Sequence, residues 1–468
     1  MQSCVIYYND TLVPDLAASP IPSETISIPM DIWLQKSPKV LHHIIVTIVM
    51  CQRLACNGSR NGMPNAKEDS QLGDTLNRHR GRGLVQLQRM LSEFWHGDGN
   101  HAMSENQRKA KALLTLTAVV MLLTQEVQMS ATSLWSIHLE AARSLIAHHG
   151  EIQTIWTRAP LHRGLITLYM MVDMMSPPTS PSWTINESQQ SDYLETIEKL
   201  EDLERTFIAS FQPCPLPVLT AVIKTNILRA AISGDQTNSN FSISAFESVS
   251  QTVALTLASL LRFDSAAWSH KVCTEYLSLP RPERKNDCHE AAWTALATAY
   301  QTAAIIYLLR SMQSAVITDM IGQETACLLD EQRSKLDTAL TVLCRDLSRV
   351  KTSGLWRFVG WASFVYAYEL VGWTEMTPTV ATLSSDTGND QNEASFAWSY
   401  PQAQPKNVSA ALWRLQQLAR RLGANSLFEG VELLQGVWRR RCESMAFGGR
   451  SEHWTWDDGF QGRCVFIV

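Results

Sequence analysis

The segment from Lys109 to Met129, read as a helix, is apolar on nearly every side, and this constrains the fold more than any other stretch. A helix without a polar face must be surrounded by other elements, so it should lie at the centre of the fold. Ser104 and Gln107 precede it with the spacing of a capping box. The sequence therefore predicts a long core helix that begins near Ser104.

Apolar residues recur at helical spacing along the chain, and no segment shows sustained alternation of apolar and polar residues. Alternation is the pattern of a half-buried strand, so its absence favours helices throughout. We expect an all-α fold, a large irregular array of about 12 to 15 helices in a single regulatory domain with polar linkers. No fixed sequence period is present, so a regular solenoid is not predicted.

Polar segments mark the expected boundaries of this array. Residues 1–28 are punctuated by Pro and Ser and should be irregular with a short helix. Residues 29–445 form the predicted helical domain. Residues 446–468 form an aromatic C-terminal tail. Mobile loops are expected where Gly, Ser, Pro and amide side chains concentrate, near 57–73, 176–192 and 377–407.

Composition and net charge limit the classes of protein to which this chain can belong. The chain has 468 residues, of which 45% are hydrophobic and 18% charged, and its net charge is −5. This balance gives no global attraction to nucleic acid or to acidic membranes. The most apolar stretches, Ile44–Cys51 and Ala112–Thr124, are shorter than the roughly 20 residues that cross a bilayer. The first ten residues lack a secretory pattern, so we expect a soluble, intracellular protein without a membrane partner.

Cysteine spacing and motif searches give no sign of catalysis or metal binding. The ten cysteines are scattered without any C-x-x-C, which favours reduced thiols and provides no zinc site. Glycine-rich phosphate loops, the G-x-S-x-G elbow and H-E-x-x-H are absent. We therefore assign no catalytic residue, no cofactor and no metal, and expect a protein that is not an enzyme.

Two clusters of basic residues require interpretation. Arg78, His79, Arg80 and Arg82 form a patch that resembles a nucleic-acid or nuclear-import signal, although a solvated helix face is the simpler interpretation. His42 and His43 are adjacent on a predicted helix. Neighbouring helical residues point about 100° apart, so these two histidines cannot both face one metal ion.

The helix predicted at 134–150, LWSIHLEAARSLIAHHG, presents a single apolar face. That face comprises Trp135, His138, Leu139, Ala142, Leu145 and Ile146. Gly150 follows as a helix terminator, because glycine adopts the left-handed conformation easily. A histidine on such a face can act as an acid or base. No partner can be assigned to His138 from sequence, so a packing role is the simpler interpretation.

A ligand pocket is a second use for some of these residues. Its candidate lining is His138, Met170, Met171, Trp454 and Trp456. Methionine-rich walls can adapt to ligands, and paired tryptophans can stack on small molecules. Core filling and a tail folded onto the helical body are the alternatives. Asp457 and Asp458 can bind a cation, although a solvated loop is the simpler interpretation.

Several motifs follow one another in the order found in a known family. They are PMDIWLQKSPKVLHHIIVTIVMCQRLA at 29–55, HRGRGLVQLQRML at 79–91, the Trp-x-x-His-Leu of 135–139, CPLPVL at 214–219, HEAAWTALATAYQTAAIIYLLR at 289–310 and LWRFVGWASFVYA at 355–367. Each is a pattern of helix packing, and Ala141 stands where the family usually has Gly. Together they resemble the fungal-specific transcription factor domain, the regulatory region of binuclear zinc-cluster transcription regulators.

The resemblance implies a helical domain that responds to an effector and associates with transcription machinery in the nucleus. Family members usually carry, ahead of this domain, a six-cysteine module that binds zinc and contacts DNA. This sequence has no such cysteine pattern, so no DNA-contacting residue is assigned. We expect regulation of a fungal metabolic or secondary-metabolite gene cluster, through a DNA-binding zinc-cluster partner or in a longer product that carries the module.

Two alternatives remain open. The chain can be an enzyme or small-molecule-binding protein of a biosynthetic pathway that reuses the regulatory fold. It can also be an interaction protein that pairs with an intact regulator and inactivates it. A closed apolar pocket with several polar side chains would favour the enzyme, whereas co-purification with a zinc-cluster protein would favour the interaction protein.

Overall fold

The structure is a computed structural model. It describes residues 2–12, 38–60, 66–96, 104–130, 135–208, 213–235, 243–276, 290–312, 322–345, 355–373, 405–422, 424–446, 456–460 and 464–467.

The described ranges contain 17 α-helices and no strand, which confirms the all-α class. The helices are α1 (Gln2–Tyr7), α2 (Lys39–Arg60), α3 (Ala66–His96), α4 (Glu105–Met129), α5 (Trp135–His148), α6 (Glu151–Arg158), α7 (Arg163–Met175), α8 (Glu187–Lys199), α9 (Leu203–Ile208), α10 (Leu216–Asp235), α11 (Ile243–Arg262), α12 (Ser265–Lys271), α13 (Glu290–Ser311), α14 (Gly322–Cys344), α15 (Gly360–Trp373), α16 (Lys406–Leu422) and α17 (Asn425–Ala446). Short helices such as α1 and α9, of 6 residues each, raise the number above the sequence-based one. They are too short for periodicity to reveal.

Helix α4 begins where its capping box predicts. The Ser104 side chain accepts a hydrogen bond from the Gln107 backbone N–H at 3.3 Å, and the Gln107 side chain accepts one from the Ser104 N–H at 3.0 Å. Together these bonds satisfy two of the amides that a helix start leaves unpaired. Helix α4 then packs against α2, α3, α5, α7 and α17. Its predicted place at the centre of the fold agrees with these contacts.

The two ends of the described chain meet in one hydrophobic core. Helix α16 packs on α2, and α17 packs on α4. The same core extends from Cys4 and Val5 to Phe466 and Ile467. Residues 2–12 are therefore a helix and a π-helical turn that join the core, where sequence predicted a mostly irregular segment. In the C-terminal tail, Trp456, Phe460 and residues 465–467 likewise belong to the core.

Two predicted loops differ from the structure. Residues 57–60 end α2 and residues 66–73 begin α3, so most of the first predicted loop is helical. Glycine usually favours a loop, yet Gly73 lies inside α3, where an added Cβ would meet no atom within 4 Å. Residues 176–192 contain two 3-10 helices, Pro177–Thr179 and Ser182–Thr184, and the start of α8. Residues 377–404 of the third predicted loop lie outside the described residues.

Three helices are long and apolar enough, by length and composition, to cross a membrane: Glu105–Met129, Leu216–Ser233 and Glu290–Ser311. This corrects the sequence estimate, which measured only the most apolar stretches. More than half of each apolar window is buried inside the protein. Each of the three helices carries a buried charged residue, respectively Glu126, Arg229 and Arg310. Glu126, Arg229 and Arg310 each form an ion pair, and these ion pairs belong to the candidate site.

Candidate functional site: paired charges in the helical core

Charged side chains in the protein interior are the most unusual chemistry of this fold. Glu126, Asp173, Arg229 and Glu369 are each at most 2% exposed. Removing an ion from water costs several kcal/mol unless a counter-charge and hydrogen bonds replace the water. Each of the four is paired with an opposite charge from another element. Four ionic contacts therefore link the helices of the core.

The first contact joins α10 to the C-terminal segment, which we define as residues 456–460 and 464–467. The Arg229 guanidinium bonds the Asp457 carboxylate. It also donates to the carbonyl of Pro177 at 2.8 Å and to that of Ser180 at 2.9 Å. The Asp457 carboxylate in turn accepts from the Ser182 backbone N–H at 3.2 Å and from the Ser182 hydroxyl at 2.7 Å. Residues 176–184, which we call the strap, therefore lie between these two charges.

The C-terminal segment is further fastened to the strap by backbone groups. The Trp456 indole donates to the Pro178 carbonyl at 2.7 Å. The Thr179 carbonyl accepts from the Val465 N–H at 3.1 Å, and the Thr179 hydroxyl donates to the Val465 carbonyl at 2.6 Å. Trp456 is 1% exposed. A segment rich in Pro and Ser can be buried here because these contacts pair several of its backbone and side-chain polar groups.

A polar chain continues from Arg229 into the core. Arg229 donates to the Tyr307 hydroxyl at 2.8 Å, and that hydroxyl donates to the Asn226 side-chain oxygen at 2.8 Å. The Asn226 amide donates to the Gln190 side-chain oxygen at 3.0 Å. Burial raises the pKa of Tyr307 to about 12. The phenol therefore stays protonated and keeps its donor role in this chain.

The second contact uses α5. The Asp173 carboxylate on α7 is paired with Arg143 on α5, and it accepts hydrogen bonds from Tyr169, Tyr193 and Gln189. Burial, followed by the negative charge of Asp173, raises the pKa of both tyrosines. Both phenols thus remain neutral donors. Four donors on one buried carboxylate make a structural anchor.

The third contact joins α13, α14 and α15. The Glu369 carboxylate accepts from Arg310 at 2.6 and 2.7 Å, and from Arg333 at 2.7 Å. The Arg310 guanidinium also lies 4.3 Å from the ring centroid of Trp373. The carboxylate is fully buried between two guanidinium groups, of which Arg333 is 27% exposed. Its geometry leaves no carboxylate oxygen without an ionic partner.

The fourth contact joins α3 to α4, and its charges act on His138, the histidine that the sequence analysis considered. Arg80 on α3 donates to Glu126 through Nε at 2.8 Å and Nη2 at 2.9 Å. Burial lowers the pKa of His138, and the nearby charges of Glu126 and Arg80 oppose each other there. Burial and Glu126 raise the pKa of the Cys51 thiol to about 12. A neutral thiol is not a nucleophile, so this Cys, His and Glu do not form an activated catalytic set.

The predicted packing positions of α5 are buried. Trp135 and Leu139 are 4% and 2% exposed, and Ala142 and Leu145 are 0% exposed. His138 is half-buried on the same face. Trp135 lies 5.8 Å, centroid to centroid, from Phe466 of the C-terminal segment. Gly150 has a φ of +87°, the left-handed conformation expected of it.

The predicted pocket residues are distributed over separate contacts. Met170 and Met171 are 0% and 3% exposed within the core. Trp456 packs among Tyr307, Tyr368 and Phe460. Trp454 lies outside the described residues. No hydrogen bond or ring contact joins His138, Met170 and Trp456 in the described part of the chain, and a pocket built from them stays a prediction.

Asp457, which sequence interpreted as part of a solvated loop, has a different role. It binds a cation, but that cation is the Arg229 guanidinium. Two residues of the basic run on α3 make contacts within the fold: Arg80 pairs with Glu126, and His79 contacts His43. Only Arg78 and Arg82 of that run are exposed.

Among the described residues, potential metal ligands are not clustered, and seven cysteines are free thiols. The described ranges contain no group of three or more His, Cys, Asp or Glu side chains arranged to hold a metal ion. Seven of their cysteines are free thiols, as sequence predicted: Cys4, Cys51, Cys214, Cys327, Cys344, Cys442 and Cys464. Cys273 differs from that prediction, because it is disulfide-bonded.

Comparison with known families decides the relationship that the motifs suggested. The sequence profile of the fungal specific transcription factor domain matches residues 4–461. The chain belongs to this family. No curated protein and no solved structure matches the chain. Both partners of the Arg229–Asp457 ion pair lie inside the fungal specific transcription factor domain, as do the other three ionic contacts.

Sequence reasoning missed these charges as a group, although one signal was present. Each of Glu126, Arg229 and Arg310 is a charged residue in the second half of a largely apolar helix of this transcription factor domain. A charge in such a place needs a partner in the interior. The partner's identity is tertiary information, and a single sequence does not supply it.

Proposed function

We propose that this transcription factor domain controls the expression of a fungal metabolic or secondary-metabolite gene cluster. The observation that carries the proposal is the family match over residues 4–461, which supports a transcription-regulator role. The restriction to a gene cluster is an expectation attached to the family resemblance. In this role the protein acts in the nucleus and has no catalytic step.

The same proposal assigns DNA contact to a protein partner. The sequence contains no pair of C-x-x-C motifs that would build the zinc module. The partner we propose is a zinc-cluster regulator or a component of the transcription machinery, and a small-molecule effector can act on the complex. Co-purification of the tagged chain with a zinc-cluster protein, followed by chromatin binding of that partner, is the direct check.

The regulator role can be tested without knowing the target genes. The full chain is fused to a bacterial repressor's DNA-binding domain and directed to a reporter promoter in a fungal host. We expect the reporter to change severalfold in either direction, relative to the DNA-binding domain alone. An unchanged reporter, with the fusion expressed and nuclear, would contradict the role.

The cluster assignment needs a separate experiment. Deletion of the gene, with transcripts and metabolites profiled together, should change transcript levels for a group of adjacent biosynthetic genes and lower their product. Unchanged transcripts with an accumulated intermediate would instead indicate an enzyme. Nuclear exclusion of the tagged protein would also count against the proposal.

A further inference from the structure

Basic side chains of α2 and α3 converge near the start of α2. Helix α2 begins at Lys39, directly after Pro38, and its first turns contribute Lys39, His42 and His43. Helix α3 packs along α2 and brings Arg78, His79 and Arg82 beside them. We call these six residues the basic notch. It joins residues about 40 positions apart, so it is a tertiary feature, and the basic run on α3 supplies half of it.

The centre of the basic notch is a contact between two histidines. The Nδ1 atoms of His43 and His79 lie 2.9 Å apart, and their ring centroids are 4.9 Å apart at 61°. At this distance one ring must donate a proton that the other accepts, so at least one Nδ1 is unprotonated. Both rings are half-buried. The pair therefore cannot carry two positive charges in this arrangement.

Among the described residues, the charged groups that shift the pKa of these two rings are all basic. Besides burial, His43 experiences His79, Arg82, His42 and Lys39, each of which lowers its pKa. His79 experiences Arg82 and Arg78, with the same effect. The chain as a whole carries a net charge of −5. This positive concentration is therefore local and runs against the charge of the protein.

Within the described ranges, the acidic residues near the basic notch do not balance its positive charge. Glu126 is engaged by Arg80, the basic residue of the α3 run that turns inward. Asp74 precedes Arg78 by one helical turn, and Asp10 lies in the π-helical turn beside α2. Both are exposed, and neither is among the charges that shift the histidines. The amino-terminal end of α2 adds the positive end of its helix dipole.

We propose that the basic notch binds the phosphate group of a small phosphorylated ligand or inorganic phosphate. Exposed Arg78 and Arg82 present planar donor groups that suit phosphate oxygens. The two histidines and Lys39 add further donors once an anion offsets their mutual repulsion. The basic notch occupies only the first turns of α2 and about two turns of α3, whereas a duplex needs a longer basic surface.

The test uses the full chain and inorganic phosphate as the first probe. Thermal unfolding and titration calorimetry are measured against phosphate, and against chloride at the same ionic strength. We expect saturable stabilisation by phosphate alone. Glycerol phosphate and a nucleoside triphosphate are titrated next: tighter binding than phosphate identifies a phosphorylated ligand, and equal or weaker binding identifies inorganic phosphate.

Proton uptake gives a readout specific to the histidines. A bound anion should raise the pKa of His43 and His79, so binding near pH 6.5 should take up protons. Calorimetry in two buffers of different ionisation enthalpy measures this uptake. The variant His79→Asn should bind with smaller uptake. Binding without any proton uptake would contradict a site centred on the two rings.

Two charge-reversal variants, one in the basic notch and one outside it, provide the test and its matched control. The double variant Arg78→Glu/Arg82→Glu alters exposed residues of the basic notch and should weaken phosphate binding at least about tenfold, which corresponds to about 1.4 kcal/mol. The variant Arg420→Glu/Arg421→Glu makes the same charge change on exposed residues of α16 and should bind as the parent does. Equal weakening in both would overturn the proposal. Salt-sensitive binding of a short DNA duplex without saturable phosphate binding would also overturn it.

Discussion

Arg229 and Asp457 form an ion pair across 228 positions of sequence. The pair brings together helix α10, the strap and the C-terminal segment, because the guanidinium also holds the carbonyls of Pro177 and Ser180. Asp457 holds Ser182 from the other side. One interaction therefore fixes three parts of the transcription factor domain that are remote in the chain.

Replacing Arg229 by methionine should destabilise the fold strongly. It removes the guanidinium donor from two strap carbonyls and from the Tyr307 hydroxyl, and it leaves Asp457 without its counter-charge. Breaking a buried ion pair costs about 3–5 kcal/mol, and we expect the lower end because Asp457 is 37% exposed and can be hydrated. Urea unfolding measures the effect. Lys224→Met, an exposed cation on the same helix, is the control and should be near neutral.

Replacing Gly459 by alanine should loosen the C-terminal segment. An added Cβ would collide with the hydroxyl and ring of Tyr368, which is fully buried and donates to the Trp456 carbonyl at 2.7 Å. Overpacking of this kind costs about 1–3 kcal/mol. Limited proteolysis should cut the variant near its C-terminus sooner than the parent. Gly436→Ala has only the end of Arg440 nearby, at 3.5 Å, and should leave cleavage unchanged.

Acidification should destabilise the protein as the pH falls through about 6.5. The pKa values of His138, His149 and His162 are lowered, first of all by burial. The unfolded chain then binds more protons than the folded one below the ordinary histidine pKa of 6.5. By linkage, stability is lost towards acid and is retained above that pH.

The measurement is the free energy of unfolding between about pH 8 and pH 5.5, in a buffer free of phosphate. His138→Gln should flatten part of the slope, because glutamine does not titrate. A stability that increases on acidification would show that these rings gain protons on folding, contrary to the prediction.

Cys51 should resist alkylation in the folded protein. Its thiol is 4% exposed, and its pKa is raised to about 12, so almost no thiolate forms near pH 8. Cys327 is an exposed free thiol and serves as the internal reference. Iodoacetamide labelling followed by peptide mass spectrometry should modify Cys327 first. In denaturant both should react alike, and equal labelling of the native protein would contradict the prediction.

Sequence was sufficient where a local rule determines the structure. The Ser104–Gln107 capping box predicted the beginning of α4, because both partners lie within one turn. The apolar stripe of α5 predicted the burial of Trp135 and Leu145, because helical periodicity alone determines which residues share a face.

The sequence was insufficient where the hydrogen-bond or ion-pair partner of a residue lies far away in the chain. The strap has the composition of a linker, and its burial depends on hydrogen bonds to distant residues such as Arg229, Trp456 and Val465. Asp457 next to Asp458 has the pattern of a solvated turn. Its partner lies on α10, and no spacing rule connects them.

The hydrogen bond from the Ser130 hydroxyl to Glu429, at 2.8 Å, joins residues 299 positions apart, and the strap meets Val465 across 286. Contacts of such long sequence separation require large loops to close before any stabilisation is gained. Folding should therefore be slow for a helical protein. Arg229 and Asp457 lie in opposite halves of the chain, so each half produced alone leaves one charge of this pair without its partner. Halves produced separately should therefore aggregate, whereas halves co-expressed in one cell should associate.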